Sequence, residues 1–495
     1  MTFTLLSIVV VFIFAATACI EIYRGIKRGF LLSLINLGNI VVSLFLSFAV
    51  TSLISSIISG KIIHQLRDGA IYQSVVQELT SIDSLLYAAL EMVIGSILFL
   101  IVFCILRIVM FGLFRGIYLR HTEMDSHDPG YGREDHTCST SLSKKRGAVC
   151  GVVAAFMITM IGISPLMGTL ELANNVLSIV GNVSTQAITS IGRGNVRLVK
   201  EFSDDFAGNV FYRLGGRWIY SNSASTNLND KQVYLLSEIE VIECMSGDML
   251  KISEILQNPQ NATQEHIEAL NGLRSNLQET DVLEQLIGEI ITECAFAWTN
   301  DTVFFSLRRP SLNAMVDPMF FEILEVCTKT NTANAKKNAD TILEIYGILL
   351  ESEVFRTDSN DPGQILNLMA RHQMIERIHQ AIEKNPNMED IDASAMMLSA
   401  FCSYLKSFQL TEQQYTDFVQ NIAFAINVVN SSGGNFEAQK MRELTAYINQ
   451  YFYEIGMEVS QDVAEMFSSE LLREFSNTDV TAAKVKFIFE KYNNG

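Results

Sequence analysis

Residues 1–60 read MTFTLLSIVVVFIFAATACI, then EIYRGIKRG, then FLLSLINLGNIVVSLFLSFAVTSLISSIISG. Two long runs without a charged side chain, 1–20 and 30–60, flank a short link holding Glu21, Arg24, Lys27 and Arg28. A bilayer core ~30 Å thick needs roughly 20 apolar residues at about 1.5 Å rise per residue. Each run is long enough to cross it. Further along, residues 92–106 are free of charge, and the run begins at 85 if Glu91 is accommodated near one end, where a side chain can reach the headgroups. Residues 147–170 form a fourth run. The sequence therefore predicts four spans, at about 1–20, 30–58, 85–106 and 147–170, with a polar loop at 107–146.

Orientation follows from the basic residues, because short loops rich in Lys and Arg stay on the cytoplasmic side. The first link has Arg24, Lys27 and Arg28, and the third has Arg107, Arg115, Arg120, Arg133, Lys144, Lys145 and Arg146. Only Lys61 and Arg67 lie between the second and third runs, and residues 171–191 have no basic side chain. This asymmetry places the N-terminus and everything after the fourth run outside a plasma membrane. The first run has no basic residue before it and carries its basic cluster after it, so it is expected to be an uncleaved span and not a signal peptide.

Charge divides the chain in two. Its formal net charge is −18, yet residues 1–170 hold 12 basic and 10 acidic side chains, leaving 24 basic and 44 acidic for 171–495. Such an acidic remainder argues against nucleic acid and anionic lipid faces as its partners. Beyond Lys231 apolar residues recur at helical spacing between Asn, Asp, Ser and Gly clusters, and strand-like alternation is rare. Helices are expected at 231–256, 265–277, 282–297, 320–328, 338–350, 364–383, 393–408, 412–429, 439–453 and 463–475. The expected fold class is all-α: a four-helix transmembrane module, 1–170, an amphipathic or linker segment, 171–230, and a large acidic extracytoplasmic helical domain, 231–495. Within the linker, residues 172–191 carry an apolar helical face suited either to the membrane surface or to packing against its own domain, and Phe206 to Tyr220 mixes glycines with aromatics as a linker or lid near the interface would.

Three pieces of the first 170 residues carry a resemblance. The link Tyr23-Arg24-Gly25-Ile26-Lys27-Arg28-Gly29-Phe30 leads into a run containing Asn36-Leu37-Gly38-Asn39; a third run ends in Ile105-Leu106-Arg107; the fourth opens Arg146-Gly147-Ala148-Val149-Cys150-Gly151-Val152. In order, spacing and orientation this resembles the colicin V production protein family. The chain departs from it in lacking an acidic residue at the start of the first span and in the length of its third loop. The resemblance implies a four-span membrane unit associated with toxin production and secretion, holding an extracytoplasmic domain. Gly25 and Gly29, and Gly147 and Gly151, are each four apart, a spacing that permits close helix approach. Packing within one bundle is the favoured reading, with dimerisation the other. Arg24, Lys27, Arg28 and Arg146 read as orientation determinants.

No catalytic, cofactor-binding or metal-binding set is assigned, and no enzyme is expected. His121, His127, His136 and Cys138 with neighbouring acids lack a recognised ligand spacing. His372, Glu376 and His379 fall at i, i+4 and i+7 of one expected helix, without the closely spaced His pair of a zincin site. Cys244, Cys294, Cys327 and Cys402 lie in apolar stripes as buried thiols do, although four cysteines allow three pairings. The expected role is a membrane anchor that presents the helical domain for scaffolding, sensing or support of secretion and envelope processes. Its partners are the lipid bilayer, a second copy of the chain, or an extracytoplasmic protein. The alternative is an oligomeric channel or transporter component exporting a small molecule or peptide.

Overall fold

The computed structural model describes residues 5–66, 81–125, 141–183, 200, 209–228, 231–280, 284–303, 309, 317–329, 334–356, 361–389, 391, 393–431, 437–476 and 479–491. The chain divides into two compact units, Met1–Gly247 with Thr280–Leu283, and Asp248–Glu279 with Glu284–Gly495. Each is built almost wholly from helices, so the all-α expectation holds among the described residues. The division falls inside a helix, past the boundary at residue 231 that composition suggested.

The first unit contains three helices long and apolar enough to cross a membrane: α1 (Leu5–Leu66), α2 (Ser81–Asp125) and α3 (Ser141–Val183). Four separate spans were expected; the first two form one helical run, interrupted at Gly29. There φ is 76° and ψ −178°, a conformation open to glycine and strained for other residues. Uninterrupted, fifteen residues of helix would separate Glu21 from Asn36 by about 22 Å. Their side chains instead bond, Asn36 Nδ2 donating to Glu21 Oε2 at 3.4 Å, so α1 turns back on itself at Gly29. The turn frees the Phe30 N–H, which donates to Ser143 Oγ of α3 at 3.2 Å.

Two other boundaries differ from expectation. The loop expected from residue 107 continues as helix to Asp125, because Ile108, Val109, Phe111 and Leu113 prolong the apolar pattern. The amphipathic stretch after 170 is the end of α3 up to Val183, and residues 184–191 lie outside the described set. Pro165 within α3 cannot donate to the Ile161 carbonyl, and Ser164 Oγ does so instead at 3.0 Å. After these helices come a π-helical turn (Tyr212–Gly216), α4 (Arg217–Ser223) and an antiparallel hairpin of β1 (Ser225–Leu228) and β2 (Lys231–Tyr234). The hairpin replaces the first turn of the helix expected at 231; α5 (Leu235–Gln257) starts just after it.

The second unit contains α6 (Gln264–Glu279), α7 (Glu284–Thr299), α8 (Asp317–Cys327), α9 (Ala335–Glu351), α10 (Pro362–Arg371), α11 (Met374–Glu383), α12 (Ser394–Ser407), α13 (Glu412–Ser431), α14 (Glu437–Glu454), α15 (Gln461–Glu474) and α16 (Ala482–Lys491). Its core gathers Phe401, Phe418, Phe452, Phe467 and Phe489, with the Phe401 and Phe467 rings stacked at 4.0 Å. The single helix expected over 364–383 is two, parted at Gln373, whose φ of 48° is left-handed.

Candidate functional site

The residues singled out in the sequence converge where α1 turns and α3 begins. A methyl group added to Gly25 would overlap the Gly147 carbonyl oxygen, one on Gly147 would overlap that of Gly25, and one on Gly151 would lie 2.5 Å from the carbonyl oxygen of Glu21. Only hydrogen side chains allow the two backbones this close, where dispersion and carbonyl contacts replace side-chain packing. Gly29, at the turn, lies against Ser143.

Packed into this crossing is a carboxylate that the sequence reading passed over. Glu21 is 4 % exposed, and three groups from different parts of the unit converge on it. Arg24 Nη1 donates to Oε1 at 2.9 Å, Arg107 Nη2 of α2 lies 3.6 Å from the same oxygen, and Asn36 Nδ2 reaches Oε2. Asn39 Nδ2 donates to the Arg107 carbonyl at 3.1 Å and receives Ser43 Oγ on its own oxygen at 3.2 Å. A buried carboxylate between two guanidinium groups is tolerable only because each charge is compensated. The other basic residues do different things: Arg28 lies over the Phe111 ring at 5.1 Å, Arg146 over Phe30 at 6.0 Å, and Lys27 is exposed. What the sequence does show is a lone acid at the start of an otherwise basic link, four positions before Gly25.

At the other end of α2, Glu91 is also buried, where a headgroup-facing side chain was expected; Thr226 of the hairpin donates to its Oε2 at 2.7 Å. Gly95, one turn further, accommodates the Ser223 carbonyl at a distance a methyl group would not allow.

In the second unit the expected row of His372, Glu376 and His379 is broken up. His372 caps α10, Gln373 turns the chain, and Glu376 pairs with Arg473 at 3.2 Å. His379 Nε2 meets Glu470 Oε2 at 3.0 Å, and Ser394 Oγ donates to the same oxygen at 2.5 Å. Serine, histidine and acid are together, but one ring nitrogen faces both partners, which does not form a serine–imidazole–carboxylate relay. Burial opposes ionisation of Glu470, and the bonds from His379 and Ser394 outweigh it, holding the carboxyl below its ordinary range. Cys294, Cys327 and Cys402 are free thiols, each pushed up to about 12 by burial, so they resist forming the reactive thiolate. Cys244 is free and exposed. Among the described residues no three His, Cys, Asp or Glu side chains are grouped to hold a metal ion; His127, His136 and Cys138 lie outside that set.

The fold and this crossing define an all-α protein with membrane-length apolar helices packed through glycines around a buried ion-pair cluster. No family model, curated protein or solved structure matches the chain.

Proposed function

We propose that the chain is a multi-pass plasma-membrane anchor of colicin V production type, with four crossings and its acidic helical domain outside, serving scaffolding, sensing or support of secretion and envelope processes. The observation that carries the reading is the return of α1 at Gly29, closed by the Asn36–Glu21 bond. A helical hairpin of this kind supplies two crossings from one run, and an even number of crossings puts both ends of the membrane unit on one side. The Gly25–Gly147 crossing then lies at the cytoplasmic rim, among the basic residues that fix orientation. The test is cysteine labelling of intact cells with an impermeant maleimide, comparing Ser225→Cys with native Cys138 while the other cysteines are replaced by Ser. Position 225 labels and Cys138 is protected; the reverse pattern overturns the orientation. A partner recovered with residues 200–495 alone supports the anchoring role.

A second reading, a subunit of an export pathway, draws on one feature of α1. Asn39, Ser43, Ser47, Thr51, Ser55 and Ser59 recur every four residues and all are buried. Ser47, Ser55 and Ser59 satisfy carbonyls of their own helix, whereas the Thr51 hydroxyl is buried without a hydrogen-bond partner. Solute flux from vesicles containing the protein, lost on Thr51→Val, would favour this reading over the anchor.

A further inference from the structure

Residues 209–223 belong to none of the membrane-length helices, yet they pack like part of the membrane bundle. The Phe211 ring lies between Phe14 and Phe156, at 4.9 and 5.0 Å. Trp218 stands edge-on to Phe48 at 5.7 Å and to Phe45 at 6.4 Å, and the Tyr220 ring fills the space left by Gly168. Phe14, Phe45, Phe48 and Phe156 are all interior to charge-free runs. Phe156 is fifteen residues before Glu171, the first charge after the fourth run, or about 22 Å down the helix.

The outward side of this segment carries an apolar row, with the exposed Arg213 beside it. Val210, Leu214 and Trp218, four apart, are 61, 68 and 49 % exposed. The face continues that of α1, since Phe45, against Trp218, is itself 58 % exposed. Along the other edge, Arg217 rises to Glu171, with Nε 3.4 Å from Oε1, and also pairs with Glu240; Tyr212 donates its hydroxyl to Glu171. A guanidinium on a flexible stem tied to acids at the end of the apolar run is the arrangement of an interfacial helix, with its apolar side down and charges up. Groups at both of its ends bond within the protein, as hydrocarbon demands: Asn209 Oδ1 accepts from the Phe211 N–H at 3.0 Å, and the Ala224 N–H donates to the Tyr220 carbonyl at 2.8 Å.

We propose that residues 209–223 enter the hydrocarbon from its outer side, with Val210, Leu214 and Trp218 against lipid acyl chains and Arg213 and Arg217 reaching up to the headgroups. The inference rests on the membrane anchor reading and adds an inserted element that no span accounts for. It makes the link to α5 part of the membrane unit, held by the Arg217–Glu240 pair.

The chain's two tryptophans, Trp218 and Trp298, make the test direct. Full-length protein is reconstituted in phosphatidylcholine vesicles brominated on the acyl chains, as Trp298→Phe, as Trp218→Phe, and as a tryptophan-free background carrying Phe12→Trp, a reporter on the exposed face of α1. Trp218 emission is expected to fall about twofold or more relative to unbrominated lipid, as a ring in the acyl region would. Trp298 emission stays unchanged, and aqueous iodide quenches Trp218 little. Quenching of the Phe12→Trp reporter without quenching of Trp218 overturns the proposal and leaves the membrane reading standing. Quenching of neither overturns both. If Trp298→Phe misfolds, the difference between the native protein and Trp218→Phe gives the Trp218 signal.

Discussion

A side chain on Gly147 has nowhere to go, because the atom it meets is the Gly25 carbonyl oxygen and not the movable end of a side chain. Gly147→Leu is therefore expected to separate the two backbones and cost about 2 kcal/mol or more, the scale of an overpacked interior. Gly162, which has no neighbour within 4 Å of an added methyl group, is the control, and Gly162→Ala should leave the unfolding midpoint in detergent unchanged. Equal midpoints for Gly147→Leu and native protein would show that the crossing contributes nothing. Glu470 sets a second prediction at this scale. Its folded pKa is held below the ordinary value of 4.5, so its contribution to stability is fully present above that value and is lost as pH falls through the folded pKa. Glu470→Gln should lower stability near neutrality by about 1–3 kcal/mol, as for a buried charge-assisted bond removed, and flatten the loss below pH 4.5. An acid unfolding profile as steep as the native one would assign that loss to other carboxylates.

Helices were legible from period and composition, and the places where they break were not. The expected helices over 265–277, 338–350, 412–429 and 439–453 fall within α6, α9, α13 and α14, since each carries a long apolar stripe between polar clusters. The segment over 364–383 keeps its stripe across Gln373, so periodicity alone cannot show that the backbone turns left-handed there. Gly29 hid in the same way: four residues from Gly25 it reads as half of a packing pair, whereas its role is the positive φ that folds α1 back. Of the crossing, the glycines and basic residues were visible as a motif. Glu21 as their common partner depends on Arg107 and Asn36 arriving from elsewhere in the chain, information that no local spacing contains. The α10–α11 break supplies its own test. A β-branched residue tolerates positive φ worst, so Gln373→Val should destabilise by about 1–2 kcal/mol, while Gln373→Gly should hold or raise the midpoint. Destabilisation by glycine as large as that by valine would show that the Gln373 side chain, not the turn, matters.

At the scale of the whole molecule the governing fact is the 44 acidic against 24 basic side chains after residue 170. Some of the acids are neutralised locally: Arg274 joins Asp340 at 2.9 Å and Glu344 at 2.8 Å, Arg377 meets Glu351 at 2.5 Å, and Lys384 shares Glu344. These pairs are at least partly exposed, and such bridges contribute about 0–1 kcal/mol each. Repulsion among the surplus acids acts over longer distances, reaching about 30 Å at 0.01 M salt and about 8 Å at 0.15 M. The two effects respond to salt with opposite signs, and the longer-range one is screened first. Raising ionic strength from about 0.01 to 0.15 M should therefore raise the thermal midpoint of the acidic helices, read by circular dichroism in neutral detergent, because a compact body of high net charge is destabilised by its own field. A midpoint that falls with salt would show that the ion pairs around Arg274 and Arg377 dominate, and would make Arg274→Gln costlier than its exposure suggests. The predicted rise has a counterpart at a surface: a body carrying this surplus of acids is repelled by an anionic lipid face, and that repulsion weakens with the same rise in salt.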